Sequence, residues 1–168
     1  MTKVAILVAN IFEDNELFYP YFRLQEEGFK VDLVGAEKGV AYQSKHGAPA
    51  ISDVASKDAS ADDYDAVVIP GGYSPDQMRQ TPETVRFVKD MNDKKKIIAA
   101  ICHGPWMMIS GCDLSGRTLT GYFSIKDDIE NAGAKYVDEE VVVDGNLITS
   151  RTPKDLPAFA KAIIKAVK

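Results

Sequence analysis

Short apolar runs alternate with longer amphipathic stretches along this chain. The apolar runs contain few polar residues, a pattern typical of strands that are buried on both faces. The predicted strands are KVAILVA (3–9), KVDLVGA (30–36), DAVVIPGG (65–72) and IIAAI (97–101). Buried strands separated by helices indicate a mostly parallel sheet with helices on both faces, that is, an α/β sandwich.

The amphipathic stretches carry residues that commonly begin and end helices. A helix over 16–28 would end at Gly28, and Pro20 predicts that it begins near the proline or is kinked there. A helix over 81–95 begins at Thr81, an N-cap residue that is followed by a proline. The other predicted elements are an extended segment at HGAPAI (46–51), helices over 104–111, 123–133 and 153–168, and a hairpin over 140–150 turning at Asp144 and Gly145.

The composition is that of an ordinary globular chain. Of its 168 residues, 45% are hydrophobic and 27% are charged, and no repeat or linker interrupts them, which predicts one domain over residues 1–168. The net charge of −5 argues against strong binding to nucleic acid or to a membrane surface. The sequence has neither a signal peptide nor an apolar span of about 20 residues, so we expect a cytoplasmic protein.

Cysteine and histidine are scarce. Cys102 and Cys112 are too few for a disulfide scaffold, and with two histidines their spacing matches no zinc site. No glycine fingerprint of dinucleotide-binding proteins follows the first strand. We therefore expect no cofactor and no metal. Cys112 has no polar companion and is expected to be a bystander, so the candidate chemistry rests on Cys102.

The strand IIAAI runs directly into Cys102, His103, Gly104 and Pro105. A strand that turns straight into a helix places its junction residue in a strained backbone conformation, as in the nucleophile elbow of serine hydrolases. A thiol at that point lies at a helix N-terminus, which favours the thiolate, and an adjacent histidine can act as its base. The alternative is a buried structural cysteine followed by an ordinary turn.

Acidic residues follow the first predicted strand. For Asp14 and Glu16 we favour a capping role, because acids stabilise helix N-termini. Glu13 comes soonest after the strand and is the candidate to approach Cys102, where a desolvated carboxyl would keep its proton and donate a hydrogen bond to sulfur. Spacing alone does not decide between this role and capping for Glu13.

Other candidates follow the third strand and precede the helix over 123–133. Gly71 and Gly72 form either a tight turn or a pair of backbone donors for an oxyanion near the thiol. Asp76 would orient His103 in a Cys-His-acid set, although its position after Pro75 by itself favours a helix-capping role. Tyr122 is either a core aromatic or part of the site lining.

With these residues assembled, the chain resembles the PfpI intracellular protease family (peptidase C56 type), within the superfamily of Parkinsonism-associated deglycase-like proteins. The resemblance runs nearly from end to end. It is carried by ANIFEDNELFYPYFRLQEEG, KHG, VVIPGGYSPD, ICHGPWMMIS, GYFSIKDDIENAGA, EVVVDGNLITSRTP and DLPAF.

The resemblance implies a flavodoxin-like three-layer sandwich with Cys102 as nucleophile at the elbow. It implies that Glu13 lies beside the thiol and that Gly72 and His103 supply backbone donors to an oxyanion. Members of the family form homodimers, and the protease-like members assemble into rings.

In those rings a neighbouring subunit supplies the acid of the triad. The matching position here is Asp76, where the family often has glutamate, and Tyr122 matches a tyrosine near the site.

The resemblance implies thiol chemistry without fixing the substrate. The first hypothesis is a cysteine hydrolase that acts on a small carbonyl compound, a glycated protein or a peptide, as a deglycase, a glyoxalase-like enzyme or an intracellular peptidase in the stress response. The alternative is a redox-sensing or chaperone-like stress protein in which Cys102 is oxidised to a sulfinate. A third possibility is a protein of the same fold whose site has decayed, against which the retained Cys102, Glu13 and His103 argue.

Overall fold

The computed structural model of this protein describes residues Met1 to Lys168. The strands are β1 (Lys3–Leu7), β2 (Lys30–Gly35), β3 (Ala41–Gln43), β4 (Pro49–Ile51), β5 (Val54–Ala55), β6 (Ala66–Ile69), β7 (Ile97–Ile101), β8 (Thr118–Leu119), β9 (Lys135–Tyr136), β10 (Val142–Asp144) and β11 (Leu147–Ser150). The α-helices are α1 (Asp14–Glu26), α2 (Ser74–Arg79), α3 (Pro82–Asp93), α4 (Pro105–Gly111), α5 (Lys126–Asn131) and α6 (Leu156–Val167).

Seven strands form the central sheet, in the order β10-β11-β7-β6-β1-β2-β5. Every neighbouring pair in it is parallel except β10 with β11. Strand β2 follows β1 in the sequence and pairs with one edge of it, and β6, which comes later, pairs with the other edge of β1. The carboxyl ends of β1 and β6 therefore border a topological switch point, the place where open α/β sheets bind ligands.

Side chains of the sheet alternate between two apolar layers. In β1, Val4 and Ile6 point into the layer beneath α1 and α6, whereas Ala5 and Leu7 point into the layer beneath α2, α3, α4 and α5. Because both faces are covered, the strands are apolar throughout. The predicted sandwich of a mostly parallel sheet between two helical layers is confirmed.

Helix α1 differs from its prediction at its beginning. It begins at Asp14, with Glu13 as N-cap, and continues through the buried Pro20 to Glu26. The capping bond begins the helix well before the proline, so the proline marks neither its start nor its end. Gly28, at φ +81°, follows the helix as predicted.

The other differences are short elements that a periodicity argument cannot resolve. The segment over 37–63 contains the β3–β4 hairpin and the edge strand β5, and the predicted extended segment corresponds to β4. The β10–β11 hairpin turns at Gly145 and Asn146, because Asp144 pairs with Leu147 at the end of the ladder. The predicted helices over 123–133 and 153–168 each begin with a 3₁₀ turn that precedes α5 and α6.

No helix of this chain is long and apolar enough to cross a bilayer.

Candidate active site

A cavity of about 480 Å³ lies at the carboxyl ends of β1, β6 and β7. It is lined by residues from the loops that follow these three strands, and by others near β4, α5 and α6: Ile11, Glu13, Glu16, Lys45, Gly72, Tyr73, Cys102, His103, Tyr122 and Pro153. A cavity of about 520 Å³ beside Ala36 and Lys57 is larger but contains no thiol or histidine. The smaller cavity is therefore the candidate active site.

Cys102 occupies the turn between β7 and α4. Its backbone adopts φ +61°, a left-handed conformation that is strained for a residue with a side chain, so the strained turn expected here is confirmed. Gly104 lets the turn close, since a Cβ there would approach the carbonyl oxygen of Ile69 to 2.5 Å. Pro105 begins α4. The strain holds the thiol at the mouth of the cavity, half-buried.

Glu16, and not Glu13, is the carboxyl group beside the thiol. Glu13 was expected there, but its Oε2 accepts a hydrogen bond from the backbone N–H of Glu16 at 3.0 Å and caps α1 at the edge of the cavity. Glu16 is fully buried, and its Oε2 accepts from the N–H of Gly71 at 2.7 Å. Its Oε1 is buried without a hydrogen-bond partner, and its carboxyl group interacts with the side chain of Cys102.

The sequence contains a signal for this placement. Glu16 lies in register with Leu17, Pro20 and Leu24, the other buried positions of α1. A glutamate on the apolar stripe of a helix is buried with that stripe, whereas Glu13 precedes the helix and lies at its cap. Proximity to the preceding strand was therefore the wrong criterion, and helical periodicity was the right one.

Burial raises the pKa of Glu16 to about 8, opposed by the hydrogen bond from Gly71. At neutral pH the carboxyl is thus protonated, and its second oxygen can donate to sulfur. Burial also raises the pKa of the Cys102 thiol, as does any negative charge on Glu16, while the backbone N–H groups of His103 and Gly72 lower it. Because Glu16 keeps its proton at neutral pH, its repulsion of the thiolate is absent there.

The two glycines after β6 have different roles. The N–H of Gly71 is bonded to Glu16, so it is not free to hold an oxyanion as expected. The N–H groups of Gly72 and His103 interact with the Cys102 sulfur, and neither bonds to another backbone oxygen. Gly72 has φ +68°, and a Cβ there would meet the carbonyl oxygen of Ile11 at 2.5 Å, so the close approach requires glycine.

His103 connects the thiol to the aromatic lining. Its Nδ1 lies 3.3 Å from the Cys102 sulfur, and its Nε2 lies 3.3 Å from the hydroxyl oxygen of Ser124. The ring stacks on Tyr122 at 5.1 Å and meets the edge of Trp106 at 5.0 Å. Burial lowers the pKa of His103, so the imidazole is neutral at pH 7 and can accept the thiol proton.

Asp76 does not reach His103 within one chain. It lies in α2, where its carboxylate accepts a hydrogen bond from Gln80 at 3.3 Å. It lines a separate cavity of about 370 Å³ together with Trp106 and Asp128. The hydroxyl of Ser124, which was not among the predicted site residues, occupies the position expected for the acid.

Three possible metal ligands lie close together at one edge of the thiol cavity. One ligand atom of each of Glu13, Asp14 and His46 lies within 4.8 Å of the others. Hydrogen bonds account for this grouping, since Asp14 bonds to Ser44 and to His46 Nδ1 while Glu13 caps α1. Cys112 lies apart from the cavity, and burial raises its pKa to about 12.

Comparisons with known proteins identify the family of this chain. A model of the DJ-1/PfpI family matches residues 2–166 of the chain. "Deglycase PfpI" from Pyrococcus furiosus is 44% identical over 166 residues, which cover 99% of each chain. "Putative cysteine protease YraA" from Bacillus subtilis is 43% identical over 166 residues, covering 99% of this chain and 98% of that protein.

The fold also matches a solved structure. A crystal structure of a two-domain protein from Anabaena variabilis, which contains DJ-1/ThiJ/PfpI-like and ferritin-like domains, superposes with a TM-score of 0.96 at 46% identity. The match covers 98% of this chain and 48% of that one, so this chain spans about half of the two-domain protein.

Proposed function

This chain belongs to the DJ-1/PfpI family, and from that premise we propose that it is a cysteine-dependent hydrolase of carbonyl adducts or peptides, with Cys102 as nucleophile. The relatives carry the names "Deglycase PfpI" and "Putative cysteine protease YraA". The observation that carries the proposal is the buried carboxyl of Glu16 against a thiol held in a strained turn. A strained backbone and a buried carboxyl both lower the stability of the folded state, and such features cluster at functional sites.

The reaction begins with proton transfer from the thiol to His103 Nδ1, which lies 3.3 Å from sulfur. A sulfur lone pair then forms a bond to the carbonyl carbon, and the carbonyl π electrons move to its oxygen. The N–H groups of Gly72 and His103 then stabilise that oxyanion, which is supported by their interaction with the sulfur. Protonated Glu16 can donate a hydrogen bond to the sulfur or to the new oxyanion.

Release of the leaving group requires the proton that His103 has accepted from the thiol. With an amide as substrate, His103 gives this proton to the leaving nitrogen as its bond to carbon breaks, leaving a thioester. With a glycated amine, the same proton goes to the leaving amine, and sulfur replaces nitrogen on the hemiaminal carbon to leave a hemithioacetal. Water adds to the thioester with His103 as base, and the acid product leaves as the thiol is restored. With an aldehyde, the first attack gives a hemithioacetal instead.

A redox-sensing role is the second candidate function. Two-oxygen oxidation of Cys102 by a peroxide would give a sulfinate, and protonated Glu16 provides a donor to one of its oxygens. The observation that favours this role is the buried Glu16 Oε1, which has no other partner. Cys112 has no such donor, so mild peroxide is expected to modify Cys102 first.

Substitution of each thiol tests the hydrolase proposal. Cys102→Ala is expected to abolish consumption of methylglyoxal, deglycation of a glycated peptide or hydrolysis of a peptide, whichever the wild type performs. Cys112→Ala is the matched control and is expected to keep the wild-type rate, since Cys112 lies outside the cavity. Absence of all three activities in the wild type, or equal loss in both variants, contradicts the proposal.

A further inference from the structure

Lys45 is the lysine that lines the thiol cavity, and no other lysine or arginine does so. Its side chain is exposed and forms no ion pair with any residue of the chain. Other surface lysines are also unpaired, and Lys45 differs from them in lying beside the thiol. Its place in the cavity indicates that it faces a ligand.

The backbone at Lys45 is held in place. Its N–H donates to the carbonyl oxygen of Phe12 at 2.8 Å, which joins it to the start of α1. The preceding residue, Ser44, donates its hydroxyl to Asp14 at 2.6 Å. The loop therefore presents Lys45 to the cavity from a fixed base, while the ammonium group keeps the freedom of its flexible stem.

Neither acid of the cavity forms an ion pair with Lys45. Glu13 caps α1 through its bond to the N–H of Glu16, and Glu16 holds its proton at neutral pH. The positive charge of Lys45 acts on the groups around the thiol, since it lowers the pKa of both His103 and Glu16. A negatively charged ligand group would find a cation here without displacing an existing partner.

We propose that Lys45 binds an oxyanion of the substrate, so that this enzyme prefers carbonyl compounds that carry a carboxylate or a phosphate close to the reacting carbon. The inference rests on the proposed function for its catalytic meaning. The recognition itself requires only that Cys102 and Lys45 line one cavity, as they do.

Alkylation by two reagents of nearly equal shape tests whether Lys45 attracts an anion to the thiol, without any need for turnover. Iodoacetate is anionic and iodoacetamide is neutral, and both react with the Cys102 thiolate. In a Cys112→Ala background, Lys45→Met is expected to lower the ratio of the iodoacetate rate to the iodoacetamide rate about threefold to fivefold, the size of an interaction between exposed charges. Any change in the thiolate fraction cancels in this ratio.

Matched variants define the result. Lys45→Arg is expected to retain most of the ratio. Lys38→Met removes a lysine that lines a different cavity and is expected to leave the ratio unchanged. Raising the salt concentration is expected to bring the wild-type ratio towards that of Lys45→Met. An equal ratio in the wild type and Lys45→Met overturns the inference, as does an equal fall in Lys38→Met.

Turnover separates this inference from the proposed function. Glyoxylate and glyoxal differ by a carboxylate in place of an aldehyde. Glyoxylate has neither a leaving group nor a second aldehyde, so it can only add reversibly to the thiol and inhibit the enzyme. Lys45→Met is expected to raise the inhibition constant of glyoxylate by a larger factor than it changes KM for glyoxal. Protection of Cys102 by acetate or by inorganic phosphate identifies which oxyanion the site prefers. If Lys45→Met lowers the alkylation ratio but the wild type turns over no carbonyl compound, the anion site is supported and the proposed hydrolase function is contradicted.

Discussion

At the scale of single residues, the chemistry depends on the side chain that shares the buried space of the thiol. Glu16 occupies that space, fully buried, while Glu13 is engaged at the helix cap. His103 contacts Ser124 where an acid was expected. Both differences from the predicted site arise from side-chain direction. Nearness along the chain does not specify that direction.

Glu16 is expected to make the stability of the fold depend on pH. Its pKa is about 8 in the folded protein against 4.5 for the free side chain, so the folded state holds more protons between these values. Stability from this group is complete below the lower value and declines as pH rises through the higher one. Glu16→Gln removes this decline. Between pH 5 and pH 8 the free energy of unfolding of the variant is expected to fall by about 2–4 kcal/mol less than that of the wild type.

Urea unfolding of both proteins at a series of pH values measures the effect. Glu13→Gln is the matched control, because its carboxylate lies at the edge of the cavity and is expected to leave most of the pH dependence in place. Identical pH profiles for the wild type and Glu16→Gln contradict a buried, protonated Glu16.

The same variant tests the coupling to the thiol. Above pH 8 the wild-type carboxyl ionises and its charge opposes the thiolate, whereas the amide side chain of the Glu16→Gln variant stays neutral and can still donate a hydrogen bond. Glu16→Gln is therefore expected to react with iodoacetamide faster than the wild type at pH 9, with a smaller difference at pH 7. A slower reaction of the variant at pH 9 speaks against this coupling.

At the scale of elements, the ends of helices and strands are positioned by close backbone contacts. The loop after β6 packs against the loop after β1, where Gly72 approaches Ile11 and Glu13. Sequence periodicity predicted the long elements on both sides of these loops. It did not predict the contact between the loops, because they are about 60 residues apart and meet only when β1 and β6 pair.

Substitution of two glycines with similar backbone angles distinguishes the cost of a left-handed residue from the cost of a close contact. Gly39 has φ +75° with open space around it, whereas a Cβ at Gly72 would lie 2.6 Å from the backbone nitrogen of Glu13. Gly39→Ala is expected to cost about 1–2 kcal/mol in the free energy of unfolding, the cost of a left-handed residue. Gly72→Ala is expected to cost more and also to slow alkylation of Cys102, because its N–H moves from the sulfur.

Urea unfolding and iodoacetamide kinetics of the two variants give both quantities. Equal losses of stability, with no change in the alkylation rate of Gly72→Ala, show that the loop contact does not support the site.

At the scale of the whole molecule, a second copy of the chain is expected to complete the site. Asp76 lies in a cavity with Trp106, and Trp106 in turn contacts His103, so a second copy docking there would bring further groups towards the histidine. We expect a homodimer or a ring-like homo-oligomer in which Asp76 from one copy orients His103 of another. Aspartate is one methylene shorter than glutamate, so the copies must approach closely.

Light scattering and the pH profile of alkylation test this assembly together. The wild type is expected to be oligomeric, and Asp76→Asn is expected to shift the apparent pKa of Cys102 without changing the fold. Lys126→Met, on the neighbouring α5, is a control for a general loss of surface charge. A monomeric wild type, or a profile unchanged by Asp76→Asn, removes Asp76 from the site.

The sequence by itself determined the long strands of the central sheet, most of the helices and the thiol at a strained turn, because these depend on local periodicity and on glycine and proline at fixed spacings. It placed Cys102 and His103 together, since they are adjacent. Helical periodicity contains the signal that Glu16 is buried, but only the tertiary structure decided that the buried carboxyl meets the sulfur, that it accepts the hydrogen bond of the Gly71 N–H, and that Lys45 lines the cavity. Those facts depend on which side chains meet when distant loops gather at one edge of the sheet, and pattern along the chain does not encode that meeting.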